Sequence, residues 1–332
     1  MMSGLYQRTI KLSRMNRISL KALLSNTALL ACISLLALGC VDGDGGGSDD
    51  SGGSVEDSTI IDGSGGTTEK QYNITVLLDL SDRVEREGLD PDQSVRDISI
   101  VRELLMFMKG HMVDKGVHLS KDKFRVIFSP TPSDPNINSL AKELRFDLSK
   151  LDQKGKKFIY DSASVVFTRN LEKIYQMSID ANDWPGCDIW RFFKNDVSDF
   201  CVDLQPEYEN ILFVITDGYI YHDDTRDTRG NRATYLTSGY LTDNNLRGNP
   251  RWRETMANKD LGLLPVDGDF EAIDVMVLEV NPTPRHKSDE DYIKAIWSKW
   301  FDEIGVGNYK IYNTDIPANT AIRLKKYFKG AH

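Results

Sequence analysis

The chain has 332 residues, of which 41 are basic and 50 acidic, giving a formal net charge of −9. That acid excess argues against a phosphate-binding groove for nucleic acid and favours a well-solvated surface or cationic partners. Four cysteines in this length exclude a disulfide-built scaffold, and no histidine lies near Cys187 or Cys201 in the sequence, which excludes a zinc site built on them.

Taken in chain order, residues 1–39 read as a targeting segment. Arg8, Lys11, Arg14, Arg17 and Lys21 are followed by an apolar stretch to Gly39, and no acidic residue occurs before Asp42. Met15 offers a second start that gives a signal of about 25 residues. The closing run Leu36-Ala37-Leu38-Gly39-Cys40 resembles the lipobox of bacterial lipoproteins. That resemblance implies lipidation of Cys40 and a membrane anchor rather than a span. The implied address is the cell envelope, at the outer membrane of a Gram-negative bacterium, on its periplasmic side or the cell surface. A plain secretory signal and a transmembrane helix are the alternatives. Without residues 1–39 the chain keeps 36 basic and 50 acidic residues, a net of −14. Residues 40–70 collapse to Gly, Ser, Asp and Thr and read as a flexible acidic tether that cannot bury a core.

Residues 71–332 form one domain-sized block. Its pattern predicts strands at 74–79, 124–128, 144–148, 211–216, 273–280 and 309–312. Helices are expected at 97–113, from Thr168 to about Met177, at 289–303 and at about 318–328. Ile98, Val101, Leu104, Leu105 and Met108 carry the helical spacing of the first. Alternating strands and helices imply an α/β fold with a mostly parallel central sheet and helices on both faces. Two long insertions interrupt it, at 181–205 and 219–265. The first holds Cys187 and Cys201, and an exported compartment makes a disulfide between them the expectation. Trp184 and Trp252 lie in the insertions as candidate contact residues, whereas Trp297 and Trp300 sit at helical spacing with Ile293 and Ile296 and are expected in the core.

Two of the strands end on an aspartate. Ile74 to Leu78 leads into Asp79-Leu80-Ser81-Asp82-Arg83, and Ile211 to Ile215 leads into Thr216-Asp217-Gly218. In open α/β sheets the carboxyl ends of the strands form the ligand crevice. Two carboxylates there, with hydroxyls beside them, suit a hard cation such as Mg²⁺. The chain resembles the von Willebrand factor type A family, over about residues 72–328. Asp79 and Ser81 match its Asp-x-Ser-x-Ser motif, Asp217 matches its later aspartate, and Thr168 is the best match to its loop threonine. The resemblance implies a doubly wound fold, a metal-ion-dependent adhesion site formed by Asp79, Ser81, Thr168 and Asp217, and a protein partner bound through the cation.

Arg83 stands where the family has its second serine, and a guanidinium has only donors. Three arrangements follow. Arg83 points away and water completes the site; or its guanidinium replaces the cation by pairing with Asp79 or Asp217; or Asp82 turns inward as a substitute oxygen. Strand-end capping is the simpler role for both aspartates, and helix capping for Thr168. No catalytic residue is assigned, because no nucleophile elbow, zinc-protease, P-loop or dinucleotide motif is present. The sequence therefore points to an envelope binding module with an incomplete metal site. The alternatives are a metal-dependent hydrolase of phosphate or ester substrates, with His222 beside Asp79, Ser81 and Asp217, and a metal-free structural component of an envelope complex.

Overall fold

A computed structural model of the protein describes residues 70–330, apart from 87, 183, 185 and 283–285. The expected signal segment, Cys40 and the tether up to residue 69 lie outside the described residues. No helix among the described residues is long and apolar enough to cross a membrane.

The strands in chain order are β1 (Gln71–Leu78), β2 (Lys123–Ile127), β3 (Arg145–Asp147), β4 (Tyr208–Ile215), β5 (Thr228–Arg229), β6 (Arg232–Ala233), β7 (Gly262–Leu263), β8 (Ile273–Val280) and β9 (Asn308–Asn313). Six of them form the central sheet in the order β3-β2-β1-β4-β8-β9, and β5-β6-β7 make a small second sheet. All pairings in the central sheet are parallel except β2 with β3. The order reverses between β1 and β4, so the ends of these two strands bound the crevice expected of an open parallel sheet. The helices are α1 (Gln93–Lys115), α2 (Pro135–Lys142), α3 (Gln153–Ala181), α4 (Ile189–Asn195), α5 (Val197–Cys201), α6 (Ser238–Asp243), α7 (Trp252–Asn258), α8 (Asp289–Ile304) and α9 (Pro317–Phe328).

Strand alternation sorts the core into two clusters. Ile74, Val76 and Leu78 of β1 join Ile211, Phe213 and Ile215 of β4, and this cluster is covered by α1, α3 and α9. Leu77, Leu212, Val214, Val275 and Val277 belong to the other, which takes in Ile189, Phe192 and Phe193 of α4 and Ile293, Trp297, Trp300 and Phe301 of α8. Fully burying each aliphatic or aromatic side chain of this kind contributes about 1.5–3 kcal/mol.

Two local expectations are corrected, the start of the helix at Thr168 and the exposure of Trp252. The helix expected from Thr168 begins fifteen residues earlier, at Gln153, because the Asp152 carboxylate accepts from Gly155 N at 2.8 Å and caps it there. Thr168 is therefore mid-helix, not in a loop. The segments 181–205 and 219–265 contribute to the core: α4 and α5 bury Phe192, Phe193 and Val197, and Leu236, Leu241, Leu246 and Leu263 are fully buried. Trp252 is buried edge-on against Tyr292, with ring centroids 4.9 Å apart, and Trp184 is half-buried against the first cluster. Trp297 and Trp300 are core residues, as expected.

Cys187 and Cys201 are buried free thiols, so the expected disulfide is absent. The reason is the course of α4 and α5 across the sheet. Cys187 exchanges backbone hydrogen bonds with Tyr221, beyond the carboxyl end of β4. The Cys201 carbonyl accepts from Asn73 Nδ2, near the amino end of β1. Five residues of extended strand between those levels span roughly 17 Å, whereas a disulfide needs Cα atoms within about 7 Å.

Candidate functional site

Asp79 follows β1 directly, and Thr216-Asp217 follows β4. The pairing of Leu78 with Ile215 brings both loops to one level. Asp79 is held on all sides: Oδ1 accepts from Ser81 N at 3.0 Å and Oδ2 from Thr216 Oγ1 at 2.7 Å. Asp217 caps its own loop, with Oδ1 accepting from Tyr219 N at 3.0 Å. Gly218 has φ +96°, and a Cβ there would lie 2.7 Å from Ile293 Cγ2, so the turn needs glycine both for its backbone and for its closeness to α8.

Arg83 lies in a 3-10 turn, Asp82–Glu85, and is 2% exposed. Its guanidinium folds back over the strand ends. Nε donates to the Asp79 carbonyl at 3.0 Å and lies 3.4 Å from Asp79 Oδ2, while Nη2 donates to Asp97 Oδ2 at 2.6 Å and to the Ile215 carbonyl at 3.2 Å. Of the three arrangements open from the sequence, this is the guanidinium folded onto Asp79. Asp82 is exposed and does not turn inward. The main partner, Asp97 on α1, was not among the expected residues. Asp97 also accepts from Tyr175 Oη at 2.6 Å and Gln93 Nε2 at 2.8 Å. Tyr175, two turns beyond Thr168, is thus the α3 side chain that reaches the cluster.

The network extends along the strand ends. Arg86 Nη2 donates to Asp217 Oδ2 at 2.7 Å and Nη1 to the Asn281 carbonyl. Arg96 Nε donates to Glu279 Oε2 at 2.8 Å, and Thr314 Oγ1, after β9, donates to the same oxygen at 2.8 Å. Glu279 reaches Arg96 because β8 carries one extra residue between Val277 and Val280 relative to β9, and Glu279 sits there at φ +67°. Three arginines and four carboxylates therefore occupy the crevice. Burial by itself lowers the Arg83 pKa, but Asp97 and Asp79 outweigh it and hold the guanidinium charged. Burial raises Asp97 despite Arg83 and Tyr175 beside it. Burial, then the Asp79 charge, pushes Asp217 up to about 6, with Arg86 and Arg83 opposing.

This donor set fits a guanidinium rather than a divalent cation. Each oxygen of Asp79 and Asp217 already accepts a hydrogen bond or faces an arginine. Arg83, bonded through Nε and Nη2 to Asp79 and Asp97, already supplies at the strand ends the positive charge that a divalent ion would bring. Among the described residues no group of three or more His, Cys, Asp or Glu is placed to hold a metal ion. His222 faces Asp188 Oδ2 at 3.7 Å rather than Asp79 or Asp217.

No family model matches the chain, and no curated protein matches it. Among solved structures, the pilus adhesin SpaC from Lactobacillus rhamnosus GG is similar with a TM-score of 0.37 and 10% identity, over 80% of this chain and 30% of that one. The chain thus spans less than a third of the adhesin's length.

Proposed function

We propose that the protein is a lipid-anchored component of the bacterial cell envelope, whose doubly wound, type-A-like domain binds a protein partner without a metal ion. The observation that supports this reading is Arg83, charged and buried on Asp79 and Asp97 where a metal-dependent site needs an oxygen ligand. The contact surface is the carboxyl edge of the sheet. There Arg86 and Asp217, paired with each other at 2.7 Å, keep side-chain exposures of 16% and 11% and would exchange that pairing for contacts with an incoming polar group. The parts of segments 181–205 and 219–265 around Cys187 and Tyr221, beyond the carboxyl end of β4, border that surface and give it specificity. Anchoring through Cys40 keeps the domain at the outer membrane.

Titration of the protein with Mg²⁺ and Mn²⁺ by calorimetry is expected to give no binding heat at millimolar metal. Binding that disappears in Asp79→Ala and Asp217→Ala would refute the metal-free reading. Crosslinking in solubilised envelopes is expected to capture a partner that Arg86→Glu loses, and incorporation of labelled fatty acid should depend on Cys40.

A further inference from the structure

The outer faces of α1 and α3 run side by side on the first face of the sheet and carry apolar side chains that nothing within the domain covers. Met106, Val113, Phe158 and Val165 are 58, 54, 64 and 69% exposed. Exposed apolar residues of this size are normal singly; grouped on two adjacent helices they mark a contact surface. Lysines interleave them. Lys109 lies over the Tyr160 ring at 4.2 Å, so its stem bridges the two helices, and Lys154 and Lys157 follow on α3. Where α1 ends and α3 begins, a cleft is lined by Val113, Val117, His118, Lys154, Lys157 and Tyr160.

The charge of this face is opposite to that of the molecule. With the buried Lys115 and Lys156 left out, residues 102–118 hold two basic and two acidic residues and residues 153–169 three basic and one acidic, in a chain whose net charge without residues 1–39 is −14. Of the acidic groups facing the patch, Asp161 is paired with Lys157 at 2.8 Å, while Asp114 is exposed. At physiological salt, charges beyond about 8 Å are screened, so the sign of the face matters more than that of the whole chain. Apolar tips with lysine stems between them match the headgroup–acyl boundary of a bilayer.

The position of the chain's entry into the domain points the same way. Gln71, at the start of β1, accepts through Oε1 from Lys121 N at 2.9 Å, two residues beyond Leu119, which is itself 54% exposed. Gln71 therefore lies beside the segment 117–121 that borders the cleft. Cys40 lies thirty residues before Lys70, which limits the reach of that connection to roughly 100 Å and gives even a weak surface a high effective concentration at the membrane.

We propose that the exposed face of α1 and α3 docks on a bilayer surface containing anionic phospholipid, leaving the carboxyl edge of the sheet free for a partner. The surface chemistry stands by itself; its place in the envelope and its effective concentration at the membrane rest on the lipid-anchor reading above. The test uses the chain lacking residues 1–40, which retains every residue of both hydrophobic clusters, sedimented with vesicles. Binding is expected to phosphatidylcholine vesicles that contain phosphatidylglycerol and not to phosphatidylcholine alone. Lys154→Glu with Lys157→Glu should weaken it at least about fivefold per lysine. Phe158→Ser should weaken it as well, whereas Arg229→Glu, away from this face, should not. Absence of binding to either vesicle, or binding that charge reversal leaves unchanged, would overturn the proposal. So would self-association that Phe158→Ser abolishes, since the face would then meet a second copy. Failure of the anchor alone appears separately, as loss of fatty-acid incorporation at Cys40 with vesicle binding intact.

Discussion

Replacing Arg83 by serine tests the central electrostatic argument directly. The substitution restores the hydroxyl of the resembled motif and removes the cation that Asp79 and Asp97 share. Both carboxylates are at most 1% exposed. Removing one partner of such a buried pair leaves uncompensated charge and costs about 3–5 kcal/mol. In a domain of this size, each kcal/mol shifts the melting temperature by about 2–4 °C, so Arg83→Ser should melt roughly 6–20 °C below the wild type. The deficit should also depend on pH. Burial already raises Asp97, and losing Arg83 raises it further. The folded variant then binds a proton that the unfolded chain does not, and its stability falls as pH rises. Thermal denaturation followed by circular dichroism from about pH 5 to about pH 8 should therefore show the gap widening. A deficit below about 0.5 kcal/mol, within the range of ordinary surface substitutions, would refute the reasoning. Partial rescue by Mg²⁺ in the variant and not in the wild type would show that guanidinium and metal compete for one place.

Asp217 gives a second prediction: with its pKa raised to about 6, mainly by burial, the folded state holds a proton that the unfolded chain has released, so stability should decline as pH rises through about 4 to 6. The contribution is at most about 3 kcal/mol, and urea titrations should show this decline in the wild type and not in Asp217→Asn. The two thiols give a third. Burial pushes Cys201 up to about 12 and Cys187 well above its ordinary value, so neither should react with a maleimide in the native protein, both should react in denaturant, and reductant should not alter stability.

The elements most legible in the sequence were those whose apolar pattern is continuous. The strand at 273–280 matches β8 at both ends, and the strand at 211–216 and the helix at 289–303 fall within a few residues of β4 and α8. The first half of α3 was hidden because Gln153-Lys154-Gly155-Lys156-Lys157 shows no apolar stripe; its signal was Asp152, spaced to cap Gly155. In the crevice, Asp79 and Asp217 announced themselves as polar residues ending apolar runs. Asp97 did not, although it falls four residues before Val101 and seven before Leu104, on the buried stripe of α1. A charge on such a stripe requires a buried partner, and Arg83 was the cation in search of one. Arg86 and Arg96 carried no comparable mark, because their partners depend on how the loops return over the strand ends. The separation of the two thiols is not legible in the sequence, because it depends on how the two helices between them carry the chain from one end of the sheet to the other.

Glu279 shows two demands on one position that a glutamate meets only against its backbone preference. Its backbone, at φ +67°, favours glycine or asparagine. Its side chain, 2% exposed and bonded to Arg96 and Thr314, must be a carboxylate. Glycine would relax the bulge and strand the Arg96 charge, and a regular strand in place of the bulge would turn the carboxylate away from the arginine. β8 is therefore locally frustrated, with its ideal hydrogen-bond ladder given up to deliver an anion to the end of the sheet. Chains that diverge from this one should change positions 96 and 279 together or neither.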